Sequence, residues 1–208
     1  MKRNKKKILI LGGASLLSFL WCNEIHKDYE IYLTQHNRKI NYLEFPTFKL
    51  DLFSEEEIIK LILNYSIDIV INMVGLTNVE ACEKNPEIAY DLNSNIPKIV
   101  ANACSKIGKK LIHISTDHFF NNEKKSHRED DKVCLLNTYA KSKYSGELNV
   151  LEVCPEALIC RTNFFGYGPP HKQSFSDWII DSSKKQKKII LHSDVFFTPV
   201  TGGNLANL

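Results

Sequence analysis

The feature that most restricts the fold is an alternation: short runs of Ile, Leu and Val recur along the chain, separated by segments whose apolar residues follow a helical period. Runs at Lys7 to Leu11, Glu30 to Thr34, Ile67 to Asn72, Lys110 to Ser115 and Ala157 to Arg161 have strand length. Continuous apolar runs suit strands covered on both faces, and a βαβα order implies a parallel sheet. The expected fold class is therefore α/β, a doubly wound parallel sheet. Ser54-Glu55-Glu56-Glu57 opens one helix, with a cap at Ser54 and a capping-box acid at Glu57, and Asn85-Pro86-Glu87 opens another with proline in its first turn. The second is expected to run to Ile107 and stop at Gly108. A third starts near Asn137 or Thr138 and continues through Leu151, with Pro155 closing the segment.

Composition narrows the function classes. With 208 residues and 43% hydrophobic content the chain can bury a full core. Its net charge is +3, but Lys2, Arg3, Lys5, Lys6 and Lys7 precede the first apolar run, so the remainder is slightly acidic. No global basic field suggests nucleic acid as a partner. The cluster Lys184, Lys185, Lys187 and Lys188 follows a helical pattern, where a helix C-terminus favours positive charge. Cys22, Cys82, Cys104, Cys134, Cys154 and Cys160 are scattered, without the spacing of a zinc site or a disulfide framework. No metal and reduced, cytoplasmic thiols are expected. Lysines followed by Ile8 to Leu11 and Leu16 to Trp21 imitate a signal peptide, but Leu20-Trp21-Cys22 is a poor cleavage site. The same residues serve better as strand, turn and helix. No other stretch is long and apolar enough to span a bilayer, so no membrane partner is expected.

Three constellations carry chemistry. Leu11-Gly12-Gly13-Ala14-Ser15-Leu16 joins the first strand to an apolar helix. In dinucleotide folds of the Rossmann type such a turn presents backbone N–H groups to a pyrophosphate, although an ordinary βα connection reads the same way. The second strand ends in Gln35-His36-Asn37-Arg38, with no acid for a ribose 2′-OH and with His36 and Arg38 available to a 2′-phosphate; this leans toward NADP(H), with NAD(H) allowed. Tyr139 and Lys143, four apart on one helix face, form the third. A phenol of ordinary pKa about 10 shuttles protons poorly at neutral pH, and a nearby ammonium favours its ionised form. Ser115-Thr116-Asp117 ends a strand at the edge where ligands bind in this architecture. A hydroxyl, a phenol and a lysine together can bind a carbonyl oxygen, protonate it and hold a ribose.

Ser115-Thr116-Asp117-His118-Phe119-Phe120, Asn137-Thr138-Tyr139-Ala140-Lys141-Ser142-Lys143 with Gly146-Glu147, and Arg161-Thr162-Asn163-Phe164-Phe165-Gly166 resemble the dTDP-4-dehydrorhamnose reductase family of extended short-chain dehydrogenases/reductases. The likeness spans nearly the whole chain, from Asp51-Leu52 and Asn72-Met73-Val74-Gly75-Leu76-Thr77 through Asn93 to Phe197-Thr198-Pro199-Val200. It implies an NADP(H)-dependent reductase of a 4-keto nucleotide sugar, with Thr116, Tyr139 and Lys143 catalytic. It places the cofactor on Gly12, Ala14, Ser15, Leu16, His36, Arg38, Asp51, Leu52, Val74, Gly75, Leu76, Asn93 and Ser115, besides Tyr139 and Lys143. It places the substrate on Thr77, Asp117, His118, Arg161, Asn163, Phe164 and Pro199. The family carries glycine at the positions of Gly12, Ser15 and Ser18, and a phenol where His118 stands. Residues 1–161 are expected to form the NAD(P)-binding domain and 162–208 the start of a substrate-binding region, because the family is only beginning a helix at Thr201 to Leu208. A homodimer is compatible with the resemblance. Two rivals share it: a nucleotide-sugar epimerase or dehydratase, and a non-catalytic protein similar to the regulatory subunit of methionine adenosyltransferase.

Overall fold

The computed structural model describes residues 5–37, 39–40, 44–120, 126–191, 193 and 197–208. Strands β1 (Lys7–Leu11), β2 (Glu30–Gln35), β3 (Thr47–Lys49), β4 (Ile69–Asn72), β5 (Lys110–Ile114) and β6 (Leu158–Cys160) form one sheet in the order β3-β2-β1-β4-β5-β6. Every neighbouring pair in it is parallel. The five expected strands are all present, within two residues at each end. The added edge strand β3 has only three residues and lacks an aliphatic run, so the hydrophobic pattern did not announce it.

Alternate side chains of β1 divide the core. Leu9 and Leu11 face one layer with Ile58, Ile62, Val100 and Val150, while Ile8 and Ile10 face the other with Leu17, Trp21 and Leu205. The first layer holds α2 (Glu55–Tyr65), α5 (Ile96–Lys106) and α6 (Thr138–Val153); the second holds α1 (Leu16–Ile25). Past β6 the chain leaves this sheet. There β7 (Phe164–Phe165) pairs with β8 (Val200–Thr201), α7 (Phe175–Lys184) lies between them, and α8 (Gly202–Ala206) adds Leu205 to the α1 layer.

Local chemistry sets the helix ends. Ser54 Oγ accepts from Glu57 N at 3.2 Å, but Glu57 turns its carboxylate to Asp51 N at 3.1 Å, so the expected capping box is only half formed. Asn137 Oδ1 caps α6 through Ala140 N at 2.8 Å. Glu83, on the short helix α3 (Val79–Lys84), accepts from Thr138 N and Oγ1 at 2.6 and 2.9 Å.

The helix expected from Asn85 to Ile107 runs without a gap from Pro86 to Lys106, but one turn of it is π-helical. It comprises α4 (Pro86–Tyr90), a π-helical turn at Asp91–Asn95 and then α5. Pro97 has no N–H to offer the carbonyl of Asn93, and Ile96 N bonds Asp91 O instead, one residue further back than in an α-helix. The exposed side of the Asn93 carbonyl is where α6 approaches: a Cβ on Gly146 would overlap that oxygen. Because the obstacle is backbone on both sides, Gly146→Ala is expected to destabilise the protein by about 1–3 kcal/mol, the usual cost of overpacking. Urea unfolding of the two proteins measures it, and an unchanged midpoint would contradict this packing.

Candidate active site

Between β1 and β4 the strand order reverses, and a cleft of about 780 Å³ opens there over the carboxyl ends of the strands. Of the residues the resemblance assigns to the cofactor, Gly12, Ala14, Ser15, His36, Asp51, Leu52, Val74 and Gly75 line it. Gly12 has φ +87°, and a Cβ there would stand 3.1 Å from the Met73 carbonyl. This position therefore needs glycine twice over, for its backbone and for its neighbour. Gly13, which the motif reading passed over, is equally confined: its Cβ would lie 2.9 Å from Thr34 O.

The two serines in the turn have ordinary physical reasons. Ser15 is the N-cap of α1 with extended backbone (φ −75°), where no glycine is required, and its Oγ accepts from Ser18 N at 3.1 Å. Ser18 is fully buried against Cys22. Leu16 points elsewhere, into the second cavity described below. Arg38 lies outside the described residues.

The loop after β4 is clamped from beneath. Asn93 Oδ1 accepts from Leu76 N at 2.8 Å, and its Nδ2 donates to Leu76 O and Ser142 Oγ, both at 3.0 Å. Asn93 is buried and so acts on the cofactor-side loop and on α6 without opening into the cleft. A buried pair that sequence reasoning missed adds to this. Asn72 Nδ2 sits 3.2 Å from His113 Nδ1, while Asn72 Oδ1 accepts from Val74 N at 3.1 Å. Burial and the nearby Lys143 hold the His113 imidazole well below its ordinary pKa, hence neutral. The available signal was polar residues inside otherwise apolar strands.

Thr116, Tyr139 and Lys143 meet at the end of β5. The Thr116 hydroxyl hydrogen-bonds Tyr139, whose ring packs on Cys82, Ala89 and Leu76 and meets His118 edge-on at 5.9 Å. Lys143 Nζ donates to Ile114 O at 2.7 Å. The Ser115 hydroxyl beside them is buried and has no hydrogen-bond partner among the described residues.

One electrostatic expectation is reversed. Tyr139 is only 8% exposed, and its pKa is raised: burial dominates, Asp117 adds to it, and the Thr116 hydrogen bond only partly offsets it. Lys143, which donates to the Ile114 carbonyl and is itself desolvated, is not among the groups that shift the phenol. Burial lowers Lys143 to about 8, against a smaller opposing pull from Glu147.

The second cavity, about 490 Å³, adjoins this edge and is lined by Leu16, Asp117, His118, Asn137, Asn163, Phe164 and Phe197 among others. Asp117 Oδ1 is buried with no hydrogen-bond partner among the described residues. Thr77 and Pro199 line neither cavity. Arg161 lines neither as well: its guanidinium binds both carboxylate oxygens of Glu147, at 2.7 to 3.1 Å, and lies against Phe119, Phe120 and Tyr144. Glu147 is 2% exposed, and a buried carboxylate needs such a partner. The structure thus gives Arg161 a supporting position under the aromatic wall.

With this geometry in place the relatives become informative. The RmlD substrate binding domain family matches residues 6–208. The chain belongs to that family. A probable low-salt glycan biosynthesis reductase, Agl14, of Haloferax volcanii is 29% identical over 202 residues, covering 95% of this chain and 67% of the relative. The dTDP-4-dehydrorhamnose reductase of Mycobacterium tuberculosis is 38% identical over 100 residues, 46% of this chain and 33% of the relative. Among solved structures, the Clostridium acetobutylicum dTDP-4-dehydrorhamnose reductase has a TM-score of 0.79 at 27% identity, covering 97% of this chain and 68% of that one. The Bacillus anthracis dTDP-4-dehydrorhamnose reductase, crystallised with NADP, shares the fold with a TM-score of 0.81 at 24% identity, over 100% of this chain and 70% of that one. This RmlD-family chain thus spans about two thirds of the length of such relatives. Its sheet is the Rossmann-type sheet the sequence implied. Among the described residues no helix is long and apolar enough to cross a membrane, and no cluster of His, Cys, Asp or Glu is arranged to hold a metal ion.

Proposed function

We propose that this chain is the nucleotide-binding part of an NADP(H)-dependent reductase of a 4-keto nucleotide sugar, with residues 1–161 holding the cofactor and 162–208 beginning the substrate-binding region. Its strongest support is the meeting of Thr116, Tyr139 and Lys143 at the end of β5, with Lys143 Nζ behind Gly75 of the cleft wall. The cleft also suits a dinucleotide: Gly12 and Gly75 line it at positions where a Cβ would crowd the Met73 carbonyl and Asn93 Oδ1, so the turn and the loop after β4 pack closely beneath it. Gly12, Ala14 and Ser15 would hold the pyrophosphate at the N-terminus of α1, and Asp51 with Leu52 the adenosine. A bound nicotinamide would supply hydride to the carbonyl carbon. Tyr139, kept protonated by burial, delivers its proton to the carbonyl oxygen; Thr116 donates to the same oxygen; Lys143 holds the ribose. Asp117, His118, Asn163 and Phe164 would contact the sugar nucleotide in the second cavity.

The test is consumption of NADPH in the presence of dTDP-4-dehydrorhamnose. Steady, stoichiometric oxidation supports a reductase. Turnover of a sugar nucleotide without net NADPH loss would point to an epimerase or dehydratase, and nucleotide binding without either would point to a regulatory role.

Cofactor choice is a separate expectation. With no acid at the end of β2, NADPH is expected to bind more tightly than NADH. Arg38→Ala should remove a large part of that difference, on the scale of about 1.5–3 kcal/mol for a charge-assisted hydrogen bond. Calorimetric titration with both dinucleotides checks this, and equal affinities in the unmodified protein would overturn it.

A further inference from the structure

We infer that Lys49 reads the 2′-phosphate of the cofactor from the neighbouring strand, an assignment that rests on the cleft being a dinucleotide site. Lys49 is the last residue of β3 and stands directly across from Gln35, the last residue of β2, in parallel register. Both line the 780 Å³ cleft, as do His36 and Asn37. The ribose of an adenosine bound at this switch point lies at the end of β2, where an acid would accept from a 2′-OH. Gln35 and His36 stand there instead, and the nearest cation reaching in from β3 is Lys49.

The local charges support the assignment. Two carboxylates line the same cleft, but each is turned to backbone: Asp51 Oδ1 accepts from Phe53 N at 3.0 Å, and Glu57 Oε2 accepts from Asp51 N at 3.1 Å. Neither forms an ion pair with Lys49 among the described residues. The Lys49 side chain is exposed, on the edge strand β3, and no side-chain hydrogen bond or ion pair of Lys49 is present among the described residues. A phosphate dianion between Lys49 and His36 would gain a charge-assisted contact that a ribose hydroxyl cannot offer. The short strand β3 thereby has a function in addition to sheet pairing: it fixes the height of this cation relative to the end of β2.

The experiment titrates the chain with NADPH, NADH and 2′,5′-ADP, comparing the unmodified protein with Lys49→Ala and Lys49→Arg. Lys49→Ala should weaken NADPH and 2′,5′-ADP by about tenfold or more, leave NADH within about twofold, and be largely restored by Lys49→Arg. Because Lys49 is exposed, the variants should fold, which circular dichroism and melting verify. A parallel loss of NADPH and NADH, or an unchanged NADPH to NADH ratio, overturns the assignment while leaving the dinucleotide site intact. If the unmodified protein binds none of the three, the dinucleotide reading itself falls, and the role of Lys49 falls with it.

Discussion

Tyr139→Phe should lower the rate of carbonyl reduction by about 10²–10⁴-fold, the usual loss when a general acid is removed, while NADPH affinity changes little. The substitution keeps the ring that packs on Cys82, Ala89 and Leu76, so stability is a poor explanation for any loss. It removes the hydroxyl that Thr116 engages. Single-turnover kinetics on enzyme already loaded with NADPH isolates the chemical step. A rate within about twofold of the unmodified protein would mean that Tyr139 is a packing residue and that the proton comes from elsewhere.

Lys143→Met should damage both binding and turnover, because the same ammonium is to hold the ribose and supports the end of β5 through Ile114 O. Its buried state gives this prediction a pH dependence. Lys143 is 4% exposed, and burial lowers it from 10.5 to about 8. NADPH affinity and rate should therefore decline as pH rises through about 8, and Lys143→Met should lack that limb. Stability moves the other way. Below pH 8 both folded and unfolded chains carry the proton, and the folded chain bears the full cost of a buried charge. Between 8 and 10.5 the unfolded chain binds more protons than the folded one, so stability relative to Lys143→Met should rise across that window, by about 3 kcal/mol in all. Chemical unfolding of both proteins at pH 7 and pH 9.5 gives the comparison. A difference that stays flat or falls would show that Lys143 is not buried as a cation.

Burial of Lys143 is also where the sequence and the structure part company over Tyr139. A spacing of four puts phenol and amine on one helix face, and from that alone an ammonium favouring phenolate is the natural expectation. Spacing does not say what else the amine can reach. Folding brings the Ile114 carbonyl within 2.7 Å of Lys143 Nζ and places α3 over the Tyr139 ring, so desolvation outweighs the charge effect.

The aliphatic runs determined the strands and the covered sheet, because a strand buried on both faces must be apolar throughout. Glycine, proline and capping residues set where the helices at Ser54 and Asn137 begin, and Gly108, with φ +63°, ends the helix the sequence stops there. The spacing of Tyr139 and Lys143 on one helix face is likewise a local property, whereas Thr116 and most of the cleft wall were implied by the family resemblance. Only the tertiary structure decided matters that depend on contacts between distant segments. It widened the long helix to a π turn around Asn93, where Pro97 withdraws a donor and Gly146 arrives from 53 positions further along the chain. It committed Arg161 to Glu147, because a carboxylate buried in α6 requires a cation and the fold brings the Arg161 guanidinium within hydrogen-bonding distance of it. It also built β3 from three unremarkable residues and so carried Lys49 to the end of β2. Strand pairing supplies that placement through backbone hydrogen bonds, which leave no mark on side-chain pattern.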